Sequence, residues 1–279
     1  MREYFQRVSD KVLLDHLESK GAVLIEGAKW CGKTTSAKHI AKSVIEMDRP
    51  DMTEQYQQMA RIEPSNLLEG EVPHLIDEWH IATNIWNAVR YEVDRRGEFG
   101  QFILTGSSVP VKLDESMHTG TGRIVRMRMR PMSLFESKDS GGQVSLSDLF
   151  NGHDISAMAN PTIEDIAFLI CRGGWPVALK YTEKIALRQA FDYYDAVVND
   201  DISRVDGVKR DPERTKRIMK SYARNVSTQV SLETIRTDVK SNDIETFDKE
   251  SLYGYLNALK RIFVIEDSPA WNPNLRSKT

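Results

Sequence analysis

Behind the apolar run Ala22-Val-Leu-Ile25 stands Gly27-Ala-Lys-Trp-Cys-Gly-Lys-Thr-Thr35, which fits G-x-x-x-x-G-K-[ST], the pattern of a phosphate-cradling loop. Such a loop works only between a buried strand and a helix N-terminus, where backbone N–H groups and the helix dipole face an anion. Both flanks are present. Ala22 to Glu26 reads as a fully buried strand, and from Lys33 onward Ala37, Ile40, Ala41 and Val44 recur at the helical period. The loop residues Gly27, Ala28, Lys29, Trp30, Cys31, Gly32, Lys33, Thr34 and Thr35 are therefore the expected nucleotide-binding set. In this pattern Lys33 reaches the β- and γ-phosphates of ATP, and the Thr34 hydroxyl ligates Mg²⁺. Helix N-termini lower thiol pKa values, which makes Cys31 a candidate reactive thiol. Its variable position in the motif makes a bystander the plainer reading.

A nucleotide site needs acidic groups as well. His74-Leu-Ile-Asp77 is a short apolar strand that ends in Asp77-Glu78, two carboxylates at the carboxyl edge of a sheet. Asp77 is the expected metal ligand, through water, and Glu78 the group that orients and deprotonates the attacking water. Gln101-Phe-Ile-Leu-Thr105 is a further strand, and it runs into Gly-Ser-Ser108. Ser107 in that polar strand end is a candidate sensor of the γ-phosphate.

These strands alternate with helical patterns at 13–17 and 85–96, which argues for a largely parallel sheet covered on both faces. A half-buried strand follows at Arg123 to Met129, where Arg126 and Arg128 alternate with Val125 and Met127. The expected first domain is 1–136. Gly-, Ser- and Asn-rich stretches at 137–148 and 152–162 open a connecting segment, 137–200, with helices at 163–171 and 184–200. The domain expected over 201–279 has helices at 211–226, 231–240 and 248–261, then a strand at Phe263-Val-Ile-Glu266. That order is the order of a winged helix.

With these motifs in hand, GAVLIEGAKWCGKTT, HLIDEW, FILTGSS, HTGTGRI and MRPMSLFES, in this order, resemble bacterial ATPases of the AAA type. The resemblance runs from Tyr4 to Lys278. It implies an α/β P-loop fold with a parallel five-stranded core, a catalytic glutamate beside the metal aspartate, and a winged-helix region after the ATPase domain. Family members carry an uncharacterised nuclease-like domain beyond the stretch WNPNLRSK. That domain is expected to be missing here, and no nuclease activity is assigned. The family's Gln after the DEW stretch is replaced by His80. The resemblance also makes Arg123 a candidate stabilising arginine. It follows the Gly-rich Thr119-Gly-Thr-Gly122 and would act on a nucleotide held by a neighbouring subunit or an adjacent segment.

Composition restricts the rest. The net charge of −3 excludes a globally basic nucleic-acid binder, though 209–224 holds a local cluster of basic side chains. Two cysteines cannot form a disulfide framework, and reduced thiols point to the cytoplasm. Of the six histidines, His74, His80 and His118 are not at metal-ligand spacing. Gly173-Gly-Trp-Pro176 reads as a rigid packed turn. The expected function is a Mg²⁺-dependent ATPase with an attached winged-helix module. The alternative is a nucleotide-gated switch that binds DNA or protein with negligible turnover, and a homo-oligomer fits either.

Overall fold

The computed structural model describes residues 4–106, 120–240 and 248–268. It falls into two compact units, 1–201 and 202–279. The first is built on α1 (Val8–Leu17), β1 (Ala22–Glu26), α2 (Lys33–Ile40), β2 (Ser43–Glu46), α3 (Thr53–Ile62), β3 (His74–Asp77), α4 (Asn84–Arg96), β4 (Phe102–Gly106) and β5 (Ile124–Arg128). The strands form one sheet in the order β2-β3-β4-β1-β5, and every neighbouring pair is parallel. This is the α/β P-loop architecture that the sequence implied.

The apolar runs explain the layers. Ala22 and Leu24 point to one face, with Ile76, Phe102 and Leu104, and there they pack with Trp86, Ile85 and Val89 of α4. Val23, Ile25, Leu75 and Ile103 alternate to the opposite face, where α1 and α2 lie against the sheet. A central parallel strand buried on both sides has no polar position to spare, hence the unbroken AVLI run.

One expected helix is shorter than its periodicity suggested. The stripe through Val44 does not stay helical: α2 stops at Ile40, and Ala41 is already extended. Ser43 to Glu46 instead pairs in register with His74 to Asp77. Ladder hydrogen bonds and the β-branched pair Val44-Ile45 outweigh a helical continuation.

After β5 the chain continues through α5 (Leu146–Phe150), α6 (Ile163–Arg172) and α7 (Glu183–Ala196) to a π-helical turn at Val197–Asp201. The expected helix over 184–200 thus ends early in a wider turn. The second unit holds α8 (Ile202–Arg204), α9 (Pro212–Arg224), α10 (Leu232–Lys240) and α11 (Lys249–Arg261). Asp211 caps α9, accepting from the Arg214 amide at 2.6 Å ahead of Pro212, and Asp248 caps α11 in the same way. Ile218, Ile235, Val239, Leu252, Leu256 and Leu259 form its buried interior. The strand expected at 263–266 is not formed: Phe263 adopts a left-handed φ of 60°, and the segment has no ladder partner among the described residues. Nothing among those residues makes a wing.

Candidate functional site

The carboxyl end of β1 delivers the chain into the loop with little freedom. A Cβ on Gly27 would stand 2.0 Å from the Met129 carbonyl oxygen, so only glycine fits against the segment leaving β5. Gly32, with φ 104°, starts α2 in a conformation that other residues rarely adopt. No side chain caps α2 and no acidic residue stands in its first turn, so its first amides face outward. By contrast Thr162 and Asp165 cap α6 reciprocally.

Lys33 lies inside this loop. Its ammonium donates to the Gly27 and Ala28 carbonyls, both at 2.8 Å, and the residue is buried. Burial pulls its pKa below the usual lysine range, and the nearby Cys31, Glu78 and Asp77 oppose that shift. Cys31 is fully buried, its Sγ 3.5 Å from the Met129 carbonyl, and burial pushes its thiol up. A reactive thiol is therefore not what this position supplies.

The acidic strand end meets the loop directly. The Thr34 hydroxyl donates to Asp77 Oδ1 at 2.9 Å, and the Thr105 hydroxyl at the end of β4 donates to the same oxygen. Strand order makes this possible, because β4 stands between β1 and β3 and carries Thr105 to the gap between them. Glu78 follows Asp77 in a left-handed conformation, φ 53°, that is costly for a side chain of this kind. Glu78 Oε2 lies 3.2 Å from His80 Nδ1. Thr34 and Asp77 together offer two hard oxygen donors. Mg²⁺ is held in this way, by one or two protein oxygens with phosphate and water completing the shell. No cluster of three or more His, Cys, Asp or Glu side chains fit for a metal occurs among the described residues.

Two expected site residues stand apart. Ser107 lies outside the described residues, as does His118. Arg123 precedes β5 at the amino edge of the sheet, where its carbonyl accepts from the Ala22 amide. The loop leaves the opposite edge, a strand of five residues or about 16 Å away. Arg123 pairs with Asp94 at 2.8 Å on the exposed surface. It is not gathered with the loop in its own chain.

Other residues that serve the loop were missed. Arg7 is buried beneath it: Nη1 donates to the Cys31 carbonyl at 2.7 Å, Nη2 to Arg130 O at 2.8 Å, and Nε to Glu136 Oε1 at 2.9 Å. Burial acts against the Glu136 charge, yet the Ser133 and Val8 amides and Arg7 hold its carboxyl below the usual range. Glu136 belongs to the MRPMSLFES stretch that carried the resemblance, the one available hint. His74, which reads as a candidate ligand only by its type, is a buried imidazole 2.7 Å from Ser43 Oγ and 3.2 Å from the Leu67 carbonyl.

Comparison with known proteins agrees with this geometry. Residues 19–138 match the family model described as an AAA domain, and residues 163–279 match a domain of unknown function (DUF8612). No curated protein matches. Among solved structures, the Walker-type ATPase PABY2304 of Pyrococcus abyssi is 15% identical with a TM-score of 0.54, covering 93% of this chain and 90% of that one. A DNA replication initiation factor (13% identical, TM-score 0.36, covering 92% of each chain) and PCH-2 of C. elegans (14%, 0.33, covering 91% of this chain and 65% of that one) are too distant in backbone to support a fold argument. The fold of the sheet and its loop is that of a P-loop ATPase, and the match to the AAA-domain model is confined to residues 19–138. No helix among the described residues is long and apolar enough to cross a membrane.

Proposed function

We propose that this chain binds ATP with Mg²⁺ and hydrolyses it, as an AAA-type ATPase. One observation carries the reading: Thr34 of the loop and Asp77 of β3 share a hydrogen bond beside the buried Lys33 ammonium. Those three groups come from two distant segments, and their meeting is what a phosphate and metal site requires.

The loop amides at the start of α2 and Lys33 bind the phosphate chain and spread its charge. Thr34 and Asp77 hold the metal, which neutralises charge on the β- and γ-oxygens. Thr105 fixes the Asp77 carboxylate from the other side. Glu78 takes the proton of the attacking water, a role suited to a carboxylate near, but not on, the metal. Ser107 remains a candidate γ-phosphate sensor, and Arg123 contributes only if a neighbouring subunit presents it. The domain over 202–279 supplies a helical module.

Calorimetric titration with ATP and a phosphate-release assay test this. Lys33→Ala should abolish binding, because it removes the buried ammonium of the loop; unchanged affinity would sink the site. Glu78→Gln should bind ATP and fail to turn it over. Wild-type hydrolysis by that variant would move the water-activating role elsewhere, and negligible turnover by the wild type would favour a nucleotide-gated switch.

A further inference from the structure

Two consecutive loop residues reach outward, not toward the loop interior. Lys29 Nζ donates to Asp201 Oδ1 at 2.5 Å, and the Trp30 ring lies 5.6 Å from the Tyr193 ring. Asp201 closes the π-helical turn at Val197–Asp201, its side chain 10% exposed and anchored by the buried Val197 and Val198. Wider turns of this kind occur often at functional positions. Tyr193 in α7 packs against Trp175 with ring centroids 4.3 Å apart and planes tilted by 43°, and a Cβ on Gly32 would lie 3.6 Å from Pro176. The Gly173-Gly-Trp-Pro176 turn and the segment 183–201 thus lie against the phosphate loop. Trp30 keeps this contact at a left-handed φ of 63°, a conformation that bulky residues avoid.

The Lys29–Asp201 pair stands out from the packing. The carboxylate is nearly buried, while the ammonium rides on a side chain 43% exposed. A lysine is a mobile point charge on a four-carbon stem, and it can change partners with little rearrangement. It is also attached to the loop itself, within a lysine's length of whatever the loop binds.

We propose that Asp201 is a positioning residue which holds the Lys29 ammonium away from the phosphate site, and that the terminal phosphate of ATP competes with it. When ATP binds, Lys29 leaves Asp201 for the γ-phosphate, and the segment 183–201 loses its charged tie to the loop. ADP lacks that phosphate and leaves the pair intact. The loop then reports ATP, as distinct from ADP, to the helical segment. This rests on the nucleotide reading above.

The test is calorimetric titration of the full chain with a non-hydrolysable ATP analogue and with ADP, each with Mg²⁺. Asp201→Asn removes the competing anion and should raise the preference for the analogue over ADP by about five- to tenfold; Lys29→Met should lower it similarly. In the Lys29→Met background, Asp201→Asn should have no further effect; with Lys29 present, Asp201→Glu keeps the competing anion and should keep the wild-type ratio. A residue that only props up the fold would lower both affinities and could not raise one selectively. If the wild type binds neither nucleotide, the function fails and this inference with it. If it binds both and Asp201→Asn leaves the ratio unchanged, or changes it equally without Lys29, the exchange is wrong while the nucleotide site stands. Should Asp201→Asn not fold, Lys29→Met decides alone: an unaltered ratio overturns the proposal.

Discussion

The two edges of the sheet handle charge in opposite ways. At the carboxyl edge Lys33, Asp77, Arg7 and Glu136 are all buried, and each is held by hydrogen bonds from neutral groups or an opposite charge. At the amino edge Arg123 pairs with Asp94 in the open. Buried charge is expensive to desolvate and tolerable only when every partner is in place. Exposed pairs cost little and contribute little. One sheet therefore carries a committed end, where the loop sits, and a relaxed one.

This contrast can be broken or sharpened by substitution. Arg7→Met should have the largest effect, because it strands the Glu136 carboxylate in the interior. A loss of about 3–5 kcal/mol in urea unfolding is expected; a loss below 1 would mean that Glu136 is already hydrated. The pH dependence follows from the same pair. Glu136 titrates below its unfolded value of about 4.3, so its stabilisation is complete above that pH and is lost as pH falls through the lower folded value. Acid unfolding monitored by circular dichroism should become shallower in Glu136→Gln, and an unchanged acid limb would remove Glu136 from the account.

Thr105→Val keeps shape and deletes one donor to a charged, buried acceptor. It should cost about 1.5–3 kcal/mol, read as a fall in thermal midpoint, and should weaken Mg²⁺-dependent more than metal-free nucleotide binding. Equal weakening would mean that Thr105 does not orient Asp77. Arg123→Ala belongs to the relaxed edge and should be the mildest. Its melting temperature should match the wild type, and dilute protein should turn over at the wild-type rate. A lowered rate that returns on mixing with Lys33→Ala protein would show an arginine acting between subunits.

How far the sequence foretold these edges depends on distance along the chain. The loop, β1, β3 and β4 were legible because each is local: a motif, or a short apolar run buried on both sides. β2 was not, since Ser43 to Glu46 is a half-exposed edge strand whose Val44 also fits the stripe of α2. Its fate was decided by pairing with β3, which no local window contains. Asp77 and Glu78 were readable from their strand, whereas Arg7 and Glu136 meet across 129 positions, and an arginine in a charged N-terminus carries no mark of burial. Arg123 was readable only as an arginine after a Gly-rich stretch; strand direction, which no local window contains, places it at the far edge, so its action on a nucleotide needs the neighbouring subunit or adjacent segment expected from the sequence. The helices of 202–279 were found from caps and stripes, and the strand at 263–266 failed because apolar residues alone do not supply a neighbour to pair with.

The segment leaving β5 is gripped from two sides by residues without side chains. Gly27 meets the Met129 carbonyl on one side, and on the other Gly174 donates no bulk at all: a Cβ there would stand 2.1 Å from the Met132 carbonyl, while the Met132 amide bonds to the Gly174 carbonyl at 2.7 Å. For anyone sorting unfamiliar chains, this gives a signature that needs no chemistry. A polypeptide that begins its phosphate loop with glycine and keeps a second glycine in the Gly-Gly-Trp-Pro turn can route its chain as this one does. One that replaces the second with a bulkier residue must send the stretch after its fifth strand along another path, however well its loop matches.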